Sequence, residues 1–544
     1  MSMSRQSNLS LLTDYYQRIF DQFLNHDLYL LADGADTLTD KPVYWTYPDG
    51  TKAVMSNFAS QQNVLRALVG LSVVTENAHW KNTATKMAKQ FLDNYTDSES
   101  GLFHWGGHRF INQQTGEIEG PASKERVHEL KHHFPYYEFL YQVDAKKTTQ
   151  FLHGFWAAHV LDWQKLDLSR HGQYGVKPID NVFSYHQPKP VVDPSLWPQL
   201  PETVGLTFVN ASTDLIYAAT FYSQYQTDVH AEMWAKHLYK QFVLARNPET
   251  GMPVYQFSSP LQREPIPDDD NLTYSWFGDR AKRQFGSEFG EIAKEANVLF
   301  RDSWPVVVDN PLAILECAKQ TGDEEMLAWA TSGIKAYFKF AWDMMGNTIV
   351  PMWSNGHDMT GYFLPRDGYY GKKGTELKRQ PVDPAYLLPL IRASIVSDDV
   401  EIRELTATMF ARFELGLIDP DTMWLTEVNI DTAIASPYLL FALLDLYEFT
   451  GQDKLLLLAD SIGKNIIEQK FHRGYFVPSE QHRFARFDDP ASFALIALEA
   501  AHQGQYADMP THISNGGYLH GEVSQGDRIE TVYDRDIIYG VTIE

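Results

Sequence analysis

Paired apolar stretches with a period near 3.6 recur along this chain, and they constrain its fold more than any other feature. In each copy a short polar turn joins two helical stretches, and several copies close on a glycine and an aromatic residue. Residues 61–75 and 78–95 lead to Gly101-Leu-Phe-His-Trp, and residues 213–226 and 229–245 lead to Gly251-Met-Pro-Val-Tyr. The pairs 311–320 with 324–345 and 436–449 with 453–469 end at Gly346 and at Gly474-Tyr-Phe. Two further pairs read at 135–147 with 148–163 and at 384–395 with 400–417. Turns such as Thr450-Gly-Gln-Asp and Thr321-Gly-Asp set a helix C-cap directly before an N-cap, the chemistry of antiparallel neighbours. Six pairs, with 9–24 and 492–502 left to close the ring, predict an all-α fold, an α/α toroid of six or seven hairpins with the Gly-aromatic ends on one rim.

No stretch rich in Pro, Gly and Ser divides the chain, so residues 1–544 read as one catalytic domain. The irregular segments 176–201, 258–287 and 352–381 read as long loops over a cleft. From 516 to 544 apolar and polar residues alternate, as in Glu530-Thr-Val-Tyr, which predicts a β-rich tail that finishes the surface.

Charge narrows the partners. Asp and Glu number 70 against 46 Lys and Arg, a net charge of −24 that repels nucleic acid and anionic membranes. No run of about 18 apolar residues is present to span a bilayer. A polyuronate would be repelled as well, so an acidic sugar needs a local cluster of cations or a bound metal ion. The 13 Trp and 29 Tyr suit sugar-stacking surfaces. Cys317 is the only cysteine, and Thr13 and Asp14 interrupt the apolar run that begins at Leu9. Both features predict a reducing compartment and no secretion signal, hence the cytoplasm.

Two readings compete for the chemistry. His128-Glu-Leu-Lys-His132 matches the HExxH pattern of zinc proteases, in which two His on one helical face bind the metal. Pro135 follows closely and would end that helix where the second ligand needs support. The other reading joins Trp105-Gly-Gly-His108-Arg109, Glu129, and Ser169-Arg170-His171-Gly172. Each of these is ordinary alone.

Together they resemble the family-2 pectate lyases, and the resemblance spans essentially the whole chain. It rests on Gly101-Leu-Phe-His-Trp-Gly-Gly-His108, Val127-His-Glu-Leu-Lys-His-His-Phe-Pro-Tyr136, His159-Val-Leu-Asp-Trp163 through Arg170-His-Gly172, and Gly278-Asp-Arg-Ala-Lys-Arg-Gln-Phe-Gly286. The resemblance implies an (α/α)7 toroid and a divalent transition metal, manganese first with cobalt or nickel as substitutes. His108, Glu129 and His171 match the metal ligands, and Arg170 matches the catalytic base. Trp105, Arg280 and Arg283 are candidate substrate contacts. The reaction implied is β-elimination of oligogalacturonides, and a cytoplasmic member without a secretion signal would resemble the exo-acting ones, which release unsaturated digalacturonate.

The chemistry is coherent. Removing the C5 proton beside a uronate carboxylate develops enolate-like charge that a metal or cations stabilise. Arginine, with a free pKa above about 12, is an unusual base, and neighbouring cations favour its neutral form. Two other classes share α/α toroids: inverting glycosidases with paired carboxylates, and sugar epimerases with paired His. A toroid that only binds sugar would leave an oligogalacturonide intact.

Overall fold

Residues 2–120, 127–163, 166–184, 206–258, 299–300, 304–367, 371–514, 517–525 and 528–543 are described in a computed structural model of the chain. The principal helices, in chain order, are α1 (Ser2–Phe23), α2 (Gln62–Thr75), α3 (Ala78–Asn94), α4 (Tyr137–Val143) and α5 (Ala145–His159). They continue with α6 (Val209–Gln226), α7 (Val229–Leu244), α8 (Asn310–Thr321), α9 (Glu324–Ala341), α10 (Leu387–Val396) and α11 (Val400–Arg412). The last three are α12 (Pro437–Thr450), α13 (Asp453–Lys470) and α14 (Pro490–His502). The fold is dominated by helices in the hairpin pairs expected from the repeat, with short strands in the loops and tail.

The caps explain where hairpins turn. Gly451 ends α12 and Gly322 ends α8, each in left-handed geometry with φ of 69°. Asp323 then opens α9, its carboxylate accepting the N–H groups of Glu325 and Met326. The glycines that follow the hairpins behave alike: Gly101, Gly251 and Gly474 all take positive φ, between 72° and 84°.

Two compact units are distinguished, one of Met1–Phe151, Gln173–Gly175 and Thr406–Glu544, the other of Leu152–Gly172 and Val176–Leu405. In the first unit, α2 packs on α3 and α14, α12 packs on α13 and α14, and α1 also lies against α14. In the second, α6 packs on α7 and α8, and α8 packs on α9 and α10. None of the described helices is long and apolar enough to cross a membrane.

Three helices are shorter than their periodicity predicts. Within 135–147 the first helix is only α4, and α5 begins at Ala145. Helix α9 stops at Ala341 because Trp342 takes extended backbone (φ −95°, ψ 109°) and starts the strand Trp342–Asp343, paired with Thr348–Ile349. Helix α11 stops at Arg412, ahead of the strand Gly416–Asp419 that pairs with Trp424–Val428. Gly416 has φ of +126°, and a Cβ there would overlap the Glu427 carbonyl. Apolar spacing through Leu415 and Leu417 looked helical because short buried strands and helix ends share it.

The C-terminal segment is a hairpin, His520–Gln525 against Arg528–Tyr533, followed by a short helix Asp534–Ile537. It is more than a surface finish, which corrects the expectation for 516–544. Leu519, Ile538 and Tyr539 are buried with Val43, Trp45, Met55 and Phe110 in one apolar cluster. Trp45, Met55 and Phe110 come from a four-stranded antiparallel sheet of Tyr44–Thr46, Lys52–Ser56, Phe110–Asn112 and Ile118–Glu119. Burying a side chain such as Leu519 stabilises the fold by about 2 kcal/mol, enough to hold the tail against the sheet.

Candidate metal centre

Strand alternation decides which side chains of the His-Glu segment face which way. Residues Val127–Glu129 form a strand paired in a two-stranded sheet with His171–Gln173. Successive side chains leave a strand on opposite faces. His128 points toward an aromatic cluster, where its Nε2 accepts the indole N–H of Trp105 at 3.2 Å. Glu129 points the other way, and its Oε2 lies 3.3 Å from His108 Nε2. Ligand atoms of His108, Glu129 and His171 all fall within 4.8 Å of one another, and all three residues are buried.

Each candidate ligand is held by its neighbours. His108 follows the turn Gly106-Gly107, pinned by the Gly106 N–H to Asn57 Oδ1 bond (3.2 Å) and by the His520 N–H to the Gly107 carbonyl (2.8 Å). His171 follows Ser169, whose hydroxyl donates to the His171 carbonyl at 3.1 Å, while Ser169 N–H donates to the His159 carbonyl at 2.9 Å. Gly172 packs so closely that a Cβ would sit 2.8 Å from that of Ala158. Arg170, beside His171, is half-buried with its guanidinium 4.9 Å from the centre of the Phe208 ring. Two imidazoles and one carboxylate, converging and shielded from water, form a donor set suited to a first-row divalent ion.

Two side chains that motif reading passed over complete the surroundings of Glu129. Lys131, only 7% exposed, brings Nζ to 3.3 Å from Oε1. His520, from the tail, brings Nδ1 to 3.4 Å from Oε2, and its ring centre lies 4.1 Å from that of His108. Lys131 stood in plain view inside the quoted motif, two positions beyond Glu129, the last residue of its strand. The alternation Tyr518-Leu519-His520 was the only signal for the other.

The HExxH reading is overturned. No helix covers 127–136, so His128 and His132 are not paired on a helical face; α4 starts only at Tyr137. Phe134 sits at φ +42°, its carbonyl accepting a 2.9 Å bond from buried Arg66. Burial, reinforced by His133 and Lys131, pushes His132 down to about 3, which keeps it neutral at ordinary pH. His104 is likewise pushed down to about 4 by burial and then by Arg109.

Trp105 is also corrected as a substrate contact. At 2% exposure it packs among Phe58, Phe91, Phe103 and Phe151, so its face is spent on the core and its N–H on His128. Arg280 and Arg283 lie outside the described residues.

Residues 28–522 match the family described as periplasmic pectate lyase. The chain belongs to that family. A pectate disaccharide-lyase of Dickeya dadantii (strain 3937) is 51% identical over 510 residues, covering 94% of this chain and 91% of its own. Among solved structures, cellobiose 2-epimerase from Bacillus thermoamylovorans B4167 aligns over 92% of this chain and 100% of its own, at 11% identity and a TM-score of 0.40. A D-mannose isomerase aligns over 82% and 98%, at 10% identity and 0.45. The description of this pectate lyase family as periplasmic overturns the cytoplasmic expectation. A single cysteine excludes internal disulfides in either compartment, so it never discriminated between them.

Proposed function

We propose that this chain is a metal-assisted pectate lyase that acts on α-1,4-linked galacturonate oligomers and releases unsaturated digalacturonate from a chain end. Family membership supports the reaction, and the name of the Dickeya relative supports the disaccharide product. The observation that carries the site assignment is the buried convergence of His108, Glu129 and His171. Manganese is the proposed ion, with cobalt or nickel as substitutes, since mixed imidazole and carboxylate ligation accepts all three. Bound there, the ion supplies Lewis-acid stabilisation of the charge that develops against the substrate carboxylate.

The protein's own groups do the rest. Arg170 takes the C5 proton, the electron pair left behind forms the C4–C5 double bond as the C4–O4 bond breaks, and O4 leaves on the anomeric carbon of the neighbouring sugar and takes a proton from solvent. Contact with the Phe208 face holds the guanidinium fork in place. The indole of Trp105 fixes the ring of His128, which sets the strand that presents Glu129. Arg280 and Arg283 are proposed to bind substrate carboxylates at neighbouring sugars. Residues 1–544 are proposed to work as one catalytic domain, since two of the borders between the units fall inside α5 and α11 rather than in linkers.

The test is an assay on trigalacturonate and polygalacturonate. A rise in ultraviolet absorbance, loss with chelator and recovery with manganese are expected, with unsaturated dimer dominant from the first turnovers. His108→Ala removes bound metal, whereas His132→Ala retains it. Saturated products, or full activity after exhaustive chelation, refute the reading; an early ladder of mixed lengths refutes the exo part alone.

A further inference from the structure

The C-terminal segment meets the strand that carries Glu129 face to face. Glu129 and Lys131 lie two residues apart and share one side of their segment, and Tyr518 and His520 do the same on theirs. Their side chains interlock as two pairs. Lys131 Nζ donates to the Tyr518 hydroxyl at 3.3 Å and lies 4.5 Å from the centre of its ring. His520 Nδ1 lies 3.4 Å from Glu129 Oε2, the same oxygen that His108 approaches at 3.3 Å. Between them Leu519 points the opposite way, into the cluster of Trp45, Met55 and Phe110.

That alternation fixes the register of the segment. A slip of one residue would bury Tyr518 or His520 in the apolar cluster and expose Leu519, so His520 is presented to Glu129 by the same packing that anchors the tail. Further restraint comes from its N–H bond to the Gly107 carbonyl and from the Tyr533 ring, 5.5 Å from its own. His520 is 6% exposed. A buried imidazole so confined, beside the carboxylate of a three-residue donor group without belonging to it, is built to orient that carboxylate.

We infer that His520 is a positioning residue for Glu129, reaching the metal centre from the C-terminal hairpin and setting which carboxylate oxygen faces the ion. The inference rests on the metal-centre reading above. Groups that orient a metal ligand in this way contribute about 10–100-fold to metal affinity. Lys131, tethered by Tyr518, restrains the other oxygen.

Manganese binding to the purified, metal-stripped full-length protein tests this by calorimetric titration, with thermal melting as the check on folding. His520→Leu fills the space without a donor, and His520→Asn keeps an N–H near the Nδ1 position. The leucine variant is expected to bind manganese at least tenfold more weakly than the wild type, and the asparagine variant to recover most of that loss. A packing role predicts the reverse order, because leucine suits an apolar site better than an amide does. Equal affinity for wild type and His520→Leu overturns the inference while loss of binding in His108→Ala leaves the metal centre standing. If His108→Ala binds as wild type does, the metal-centre reading itself fails. Should the leucine variant not fold, the asparagine variant decides: affinity within threefold of wild type upholds the inference, and a tenfold loss overturns it.

Discussion

At Gly107 the backbone passes so near Glu129 that a Cβ would overlap its carboxylate and crowd the Lys131 chain. Gly107→Ala is therefore expected to leave the helices folded while bound metal falls at least tenfold, since the ligand next to His108 must swing away. Elemental analysis together with far-ultraviolet circular dichroism checks this; full metal occupancy would contradict it. Arg170→Lys keeps a charge but loses the planar fork over Phe208, so turnover should fall at least a hundredfold with metal still bound. A variant with wild-type kcat would remove Arg170 from the chemistry. His108, Glu129 and His171, which the structure brings together, were legible as residues because short motifs carry them. Lys131 and His520 were not singled out, because their importance lies in distances to one carboxylate, and in the case of His520 that neighbour is remote in sequence.

Among the elements, the helices with a polar residue at the N-cap and glycine after the last turn were read nearly to their true ends. Asp323 shows why: it accepts two N–H groups at the start of α9 and pairs with Lys236 at 2.8 Å. Asp323→Ala should lower stability by about 1 kcal/mol, and Asp323→Asn, which still caps, by less than half of that. Thermal melts of the two variants separate capping from charge, since equal losses would assign the whole effect to the ion pair. Elements built from long-range pairing escaped the sequence. The strand carrying His128 and Glu129 exists because His171–Gln173 lies beside it, and nothing local forbade a helix there except Pro135. Period alone also ran α9 and α11 past their ends, where extended backbone at Trp342 and the positive φ of Gly416 begin short strands.

Over the whole molecule the excess of acid is partly internal. Asp534, 3% exposed, accepts the N–H groups of Leu519 and Arg535, and burial lifts it from 3.8 to about 6 against the pull of Arg486. The folded protein keeps a proton there that the unfolded chain releases, so this stabilisation is whole below about pH 3.8 and is lost as pH rises through about 6. Asp534→Asn, a mimic of the protonated form, should melt higher than wild type at about pH 8 and match it near pH 4, with a difference of roughly 2–3 kcal/mol at most. Parallel melting curves across that range would show that Asp534 does not titrate with folding. Its partner Leu519 is the neighbour of His520, so the same carboxylate ties the acid balance of the molecule to the tail. That tail also sets an order of events during synthesis. The segments with His108, Glu129 and His171 leave the ribosome long before Tyr518 and His520 do. On the proposed role of His520, a nascent or prematurely terminated chain lacks the last clasp on Glu129, so tight metal binding would follow only once translation has run past the hairpin.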